Sequence, residues 1–153
     1  MAIHILRETE LIPISQAEAW DFFSRPENLK TITPPGIGFD IQGNPPEKIY
    51  PGLMITYIVK PLFGIPLTWV TEISHVREGE YFVDEQRIGP YKIWHHEHHF
   101  AAKGASTEVT DIVTYALPFG ILGKIAHAII VKPRLRAIFD FRREKIRSLF
   151  PSK

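Results

Sequence analysis

Residues 94–100 read WHHEHHF, and residues 111–117 read DIVTYAL. In each stretch, every second residue belongs to a set that mixes large apolar with polar side chains. The sets are Trp94, His96, His98 and Phe100, and then Asp111, Val113, Tyr115 and Leu117. Because successive side chains of a strand point to opposite faces, each set lies on one side of a sheet. Burying polar groups costs free energy unless they are paired or bind something. The pattern therefore predicts two strands that line a cavity.

A short connection, residues 103–106, joins the two stretches and predicts an antiparallel hairpin. Folded symmetrically about Lys103-Gly104, with an uncertainty of a residue or two, the hairpin places three pairs opposite each other: Trp94 and Val113, His96 and Asp111, His98 and Val109. A His96–Asp111 pair would orient the imidazole and favour its charged form. The preceding strand adds four residues that alternate on one side, toward the same wall: Phe82, Asp84, Gln86 and Ile88. The opposite face, which includes Tyr91 and His95, is expected to face solvent.

The rest of the chain predicts five further strands, two short helices and a long final helix. Strands are expected at residues 2–12, 38–42, 53–60, 67–76, 81–88, 91–101 and 107–117. Ser15 and Glu18 form a capping box for a helix that ends near Ser24, and Pro26 begins a second helix that ends near Ile32. The final helix is expected over residues 121–150, with a kink or break at Pro133.

This order of elements predicts an α+β fold, with a seven-stranded curved antiparallel sheet wrapped around the long C-terminal helix. Short connections make neighbouring strands antiparallel, and only the final helix is large enough to cover the apolar side of the sheet. Residues 1–153 are expected to form a single domain. A ligand site would lie between sheet and helix.

Composition excludes several classes of function. The net charge is +1, which gives no reason to expect nucleic-acid binding. No apolar run approaches the roughly 20 residues of a transmembrane helix, there is no signal-peptide pattern, and the chain has no cysteine, so we expect a cytoplasmic protein. From Lys132 onward, eight Lys or Arg residues stand against two acidic ones. This basic run is interpreted as a solvated helix face or, alternatively, as a weak contact for an anionic surface.

Three interpretations of His96 and His98 stay open. They could bind a metal ion with Asp111 or Asp84 as third ligand, His96 could act with Asp111 as an acid–base pair, or these groups could bind the polar end of a ligand or only one another. The last interpretation is preferred, and no metal or cofactor is assigned.

The motifs over residues 82–123 resemble the SRPBCC superfamily, which includes START-like lipid-binding domains, Bet v 1-type allergens and polyketide cyclase/dehydrase-like proteins. The resemblance lies in Phe82-x-Asp84-x-Gln86, Gly89-Pro90-Tyr91, Trp94-x-His96-x-His98-x-Phe100, Gly104, Thr107 and Asp111-x-Val113-x-Tyr115-x-Leu117-Pro118-x-Gly120. It implies a helix-grip fold with a pocket for a lipid, polyketide, sterol or aromatic molecule, and it supplies no reaction.

Together, these arguments predict binding of a small hydrophobic ligand between the sheet and the C-terminal helix. The alternatives are a cyclase-, dehydratase- or hydrolase-type enzyme that uses His96 and Asp111, and an interaction module that uses the basic helix. The predicted ligand-binding residues are Phe82, Asp84, Gln86, Trp94, His96, His98, Phe100, Asp111 and Tyr115.

Overall fold

A seven-stranded antiparallel sheet forms the body of the protein in the computed structural model, which describes residues 1–152. Its strands are Ile3–Ile12 (β1), Asp40–Gln42 (β2), Leu53–Val59 (β3), Leu67–Arg77 (β4), Tyr81–Ile88 (β5), Ile93–Lys103 (β6) and Ser106–Ala116 (β7). The strand order is β1-β7-β6-β5-β4-β3-β2, so the first strand pairs with the last. The predicted strands are confirmed, with β2 shorter than expected. Register shifts between β4 and β5 mark β-bulges, which bend a strand and increase its twist.

Two short helices follow β1, as the sequence predicts: Gln16–Phe23 (α1) and Pro26–Thr31 (α2). The capping box is present, since Ser15 Oγ accepts a hydrogen bond from the Glu18 amide and the Ser15 amide donates to the Glu18 carboxylate. Pro26 stands in the first turn of α2, where its missing N–H costs nothing. Both helices pack on the end of the sheet where Phe82 and Phe100 are buried.

The C-terminal helix runs from Gly120 to Leu149 in three parts: α3 (Gly120–Ala126), a π-helical turn (His127–Val131) and α4 (Lys132–Leu149). The interruption predicted at Pro133 takes the form of this wide turn, which places the proline in the first turn of α4. Helical backbone therefore continues past Pro133 instead of ending there. Among residues 1–152, no helix is long and apolar enough to cross a membrane.

One stripe of α4 holds the helix against the sheet. Leu135, Phe139, Arg142 and Ile146 are its buried residues, and they recur every three or four positions. Phe139 and Leu135 join a core cluster with Val113 of β7, which has no solvent exposure. Fully burying such a side chain contributes about 1.5–3 kcal/mol. The architecture is the α+β helix-grip arrangement expected from the sequence.

The β6–β7 hairpin differs from its predicted register by two residues. His96 lies opposite Val113, His98 opposite Asp111, and Trp94 opposite Tyr115. The predicted pairs were wrong because the turn is centred on Gly104-Ala105, between Lys103 and Ser106. Gly104 adopts a φ of 62°, which suits a two-residue hairpin turn. A shift of two residues keeps every side chain on its predicted face.

The basic residues of α4 are mostly paired within the chain. Arg136 and Arg143 form ion pairs with Glu8, and Arg147 lies 3.2 Å from Glu10, so three guanidinium groups are held against β1. Arg142 is buried. Lys153, the last residue of the predicted basic run, lies outside the described residues. These pairs reduce the free positive charge that α4 offers to a partner.

Candidate binding cavity

A cavity of about 380 Å³ lies between the sheet and the C-terminal helix. Its wall combines Ile55 and Tyr57 of β3 and Ile73 of β4 with Leu135 and Phe139 of α4. Small-molecule sites typically have volumes of about 300–1,000 Å³ and mostly apolar walls with a few placed polar groups. The volume and the lining of this cavity meet that description.

Part of the wall comes from a cluster of two imidazoles and two carboxylates, here called the His–Asp cluster: Asp84, His96, His98 and Asp111. All of these except Asp111 line the cavity. His96 Nε2 lies 2.7 Å from Asp111 Oδ1, and His98 Nε2 lies 2.6 Å from Asp84 Oδ2. The two rings are 3.8 Å apart between centroids. His96, His98 and Asp111 are buried and Asp84 is nearly so. Alternation along β6 puts both imidazoles on the inner face, and β5 and β7 supply the carboxylates from either side.

Each imidazole reaches both carboxylates. The other ring nitrogen of His96, Nδ1, lies 3.6 Å from Asp84 Oδ2, and that of His98, Nδ1, lies 3.2 Å from Asp111 Oδ1. Arg142 Nη1 lies 3.3 Å from the same Asp111 oxygen. The cluster is thus a connected network in which three of the four contacts between ring nitrogens and carboxylates are within hydrogen-bond distance, whereas the 3.6 Å between His96 Nδ1 and Asp84 is too long for a hydrogen bond.

Burial and pairing act in opposite directions on the two carboxyls. Burial alone would raise the pKa of Asp111, but hydrogen bonds from His96 and His98 and the charge of Arg142 outweigh it and hold this pKa well below its ordinary value. The pKa of Asp84 is also lowered, because its histidine neighbours outweigh the effect of burial. Both groups are therefore carboxylates at neutral pH.

The two imidazoles have pKa values shifted in opposite directions. Burial, with repulsion from His98, lowers the pKa of His96. Hydrogen bonds to Asp111 and Asp84 outweigh burial for His98 and raise its pKa. Asp111 favours the charged form of His96, as expected, but burial and the repulsion from His98 outweigh its contribution. The raised pKa of His98 and the charge of Arg142 both act to offset the negative charge of the two carboxylates.

Aromatic rings fix the cluster in place. Phe82 stacks on His98 with 4.1 Å between centroids, and Trp94 meets His96 edge-on at 6.1 Å. Arg142 lies over the Phe139 ring at 4.9 Å, and its buried Nε has no hydrogen-bond partner. The polar groups are thereby held by packing as well as by hydrogen bonds.

Five of the nine predicted ligand-binding residues line the cavity: Phe82, Asp84, Trp94, His96 and His98. The other four lie elsewhere. Asp111 stands behind the imidazoles, and Phe100 packs in the core against Trp20, 5.5 Å away. The Gln86 amide bonds the backbone of Tyr91 and so holds the β5–β6 connection, while the Tyr115 hydroxyl pairs with His127.

Several lining residues were missed by sequence reasoning. Tyr91, expected to face solvent, lines the cavity because it precedes β6 and so escapes the strand alternation. Its ring packs on Trp69 and Trp94. Arg142 was counted with the solvated basic run, although its spacing of three from Phe139 places it on the apolar stripe of α4. That spacing was the available signal.

Comparison with known structures finds close matches of fold at low sequence identity. CV1439 from Chromobacterium violaceum matches with a TM-score of 0.73 at 10% identity, covering 97% of this chain and 98% of that chain. Major latex-like protein 151 from Panax ginseng matches with 0.69 at 15% identity, covering 98% and 99%. A START superfamily protein from Mycobacterium smegmatis matches with 0.69 at 12% identity, covering 95% and 99%.

At such identities the likeness concerns the fold alone, and it confirms the helix-grip fold that the resemblance to the SRPBCC superfamily implied. No family model matches the chain, and no curated protein matches its sequence.

Proposed function

We propose that this chain, which has an SRPBCC fold, binds a small hydrophobic molecule (a lipid, a polyketide or an aromatic compound) in the cavity between the sheet and α4. The observation that carries the proposal is the cavity itself, because a volume of about 380 Å³ lined by apolar side chains is left between the sheet and the helix. A plain core would fill this space, since protein interiors pack to the density of organic crystals.

The lining divides into a contact surface and a polar end. Trp94, Phe82 and Tyr91 offer aromatic surface near the cluster, and the walls of β3 and β4 are mostly aliphatic. Asp84, His96 and His98 lie in the same wall and offer both hydrogen-bond donors and acceptors. A ligand with an apolar body and one polar group, such as a carboxyl, hydroxyl or carbonyl, fits this division best.

Native mass spectrometry of the purified protein tests the proposal first, since a ligand of this kind is expected to co-purify and to appear as a defined mass increment. The second test uses the fluorescent dye 1-anilinonaphthalene-8-sulfonate. Ile55→Trp places an indole in the cavity from β3, whereas Met54→Trp, on the adjacent residue, adds the same group to the outer face.

Dye affinity is expected to fall at least tenfold in Ile55→Trp and to stay at the wild-type value in Met54→Trp. Circular dichroism and urea unfolding verify that both variants fold. Wild-type affinity in a folded Ile55→Trp variant would contradict binding in the cavity.

A second candidate function, acid–base catalysis, is favoured by one contact. His96 lies in the cavity wall and its Nε2 is 2.7 Å from Asp111, as in a general acid–base pair that a carboxylate orients. Proton transfer, dehydration or hydrolysis of the bound molecule would then follow. The test incubates the molecule found by mass spectrometry with wild-type protein and with His96→Ala. Turnover that survives the substitution would end this role.

The interaction module is supported more by exposed apolar residues than by the basic helix. Phe119, Ile121 and Leu122 at the start of α3 are 72–81% exposed, and Phe63 of the β3–β4 connection is 83% exposed. Both segments adjoin lining residues of the cavity, and Lys124 adds positive charge. We propose that this surface contacts anionic lipid during ligand uptake.

Vesicles of phosphatidylcholine with phosphatidylserine test the surface contact. Binding measured at low salt should weaken when the salt concentration is raised. It should also weaken in the variant Ile121→Asp. Absence of binding at low salt would contradict the contact. The cytoplasmic location expected from the sequence stays a prediction, to be checked by cell fractionation.

A further inference from the structure

We infer that Asp84, His96 and His98 form a binding site for one first-row divalent transition-metal ion in the cavity wall. This inference goes beyond the proposed binding of a hydrophobic molecule and takes up the metal interpretation of His96 and His98, which the sequence left open without assigning a metal. It is tested with metal ions alone.

The donor atoms already converge. One ligand atom from each of the three residues lies within 4.8 Å of the other two. Asp84 Oδ2 is the shared point, 2.6 Å from His98 Nε2 and 3.6 Å from His96 Nδ1. With metal–ligand bonds of about 2.1 Å, neighbouring ligand atoms are about 3.0–3.4 Å apart in octahedral or tetrahedral geometry. Shifts of well under 1 Å at these two contacts would reach that spacing.

The donor types select the class of metal. Two imidazole nitrogens and one carboxylate oxygen suit zinc, iron, cobalt and nickel, whereas calcium and magnesium prefer ligand sets made of oxygen alone. Three protein ligands leave at least one coordination position free. Because all three residues line the cavity, that position would be available to water or to a molecule in the cavity.

The residues behind the cluster match the support that metal sites require. Histidine ligands usually donate their second ring N–H to a carboxylate, which fixes the tautomer and the ring orientation. Here both second nitrogens, His96 Nε2 and His98 Nδ1, face the same oxygen of Asp111, at 2.7 and 3.2 Å. Arg142 in turn lies 3.3 Å from this oxygen. One buried carboxylate thus orients both imidazoles toward Asp84 without lining the cavity itself.

The strands make the arrangement rigid. His96 and His98 are alternate residues of β6, and Asp84 is paired with His96 across the β5–β6 ladder. Phe82 stacks on the His98 ring from the same face. The three ligands are therefore placed by backbone pairing, which supports preorganisation better than a loop would.

The test is a Co²⁺ titration of the full-length protein after treatment with a chelator, followed by the visible absorption of the bound ion and by calorimetry. Wild-type protein is expected to bind one ion per chain. Asp84→Asn and His98→Gln should each weaken binding at least tenfold, and Asp111→Asn should weaken it about 10–100-fold through loss of orientation. His99→Gln is the matched control, because His99 lies on the same strand but on the opposite face.

The inference would be overturned by the absence of a stoichiometric ion on the folded wild-type protein, or by equal binding in wild type and Asp84→Asn. A loss in His99→Gln as large as in His98→Gln would also overturn it, since the ion would then be bound at the surface. If one substitution prevents folding, His96→Gln and the remaining variant decide the result. Dye binding to the chelator-treated protein tests the hydrophobic cavity separately, so the two proposals can fail independently.

Discussion

Replacing Arg142 with methionine tests whether charge balance holds the His–Asp cluster together. Arg142 is 8% exposed and neutralises a cluster that also holds two carboxylates. Removing one partner of a buried ion pair costs about 3–5 kcal/mol when the remaining charge is left without compensation. Asp111 keeps its contacts with His96 and His98, so we expect a cost in the lower part of this range. Methionine also removes the unpaired buried Nε, which returns about 1 kcal/mol. The expected net loss of unfolding free energy is therefore about 2–3 kcal/mol.

Urea unfolding in the presence of a chelator measures this loss, since a change in the midpoint at constant slope reports stability alone. The matched control is Arg143→Met. Arg143 is the next residue, its side chain is 34% exposed, and it pairs with Glu8 near the surface. Exposed pairs contribute about 0–1 kcal/mol, so the control should lose little.

A loss below about 1 kcal/mol in Arg142→Met, or equal losses in the two variants, would refute this reasoning. The double variant with Asp111→Asn separates the pair from the general effect of truncation. Coupling between the two substitutions is expected at about 0.5–3 kcal/mol, whereas strict additivity would mean that the arginine stabilises the fold through packing on Phe139 alone.

Two further predictions concern the packing of the core and the loss of stability at alkaline pH. Phe100→Ala should lower the free energy of unfolding in urea by about 3–5 kcal/mol, because this ring is 4% exposed. Phe63→Ala is the control and should lower it by almost nothing, because Phe63 is 83% exposed. Similar losses in the two variants would contradict the assignment of Phe100 to the core. Burial, with the nearby carboxylate of Asp84, raises the pKa of Tyr57 far above 10. The stabilisation that the neutral phenol gives to the folded state is therefore complete below about pH 10 and is lost as the pH rises, by about 1.4 kcal/mol at pH 11. Tyr57→Phe should abolish this part of the loss of unfolding free energy at alkaline pH. An identical pH profile for the variant would show that the phenol is accessible when folded.

The sequence predicted those features that depend on neighbours in the chain. Strand alternation placed His96, His98 and Asp84 on one face, and the Ser15–Glu18 capping box located the start of α1, because both signals are local. The hairpin register was off by two residues because it depends on which two residues form the turn, and Gly104 takes a left-handed conformation that several alignments of the hairpin would allow. Each side chain nevertheless lies on its predicted face of the sheet, because strand side chains alternate with a period of two residues.

Parts of the site were beyond local reasoning. The charge of Arg142 suggested solvent, and only its spacing from Leu135 and Phe139 indicated burial. The sharing of two carboxylates by two imidazoles depends on distances across three strands, and the lowered pKa of His96 depends on its burial and on the neighbouring His98. The cavity also depends on how far α4 stands from β3 and β4, which no pattern within one element records.

The pairing of β1 with β7 has a consequence for synthesis of the chain. Ile12 pairs with Thr107 and Ile3 with Ala116, so β1 emerges from the ribosome roughly a hundred residues before β7, the strand with which it pairs. At translation rates of about 5–20 residues per second, that wait lasts roughly 5–20 s. During it, a ten-residue strand with isoleucines at positions 3, 5 and 12 is a free template for pairing with other nascent chains. Glu8 and Glu10, which later hold the arginines of α4, are well placed to discourage such pairing by repulsion between like strands.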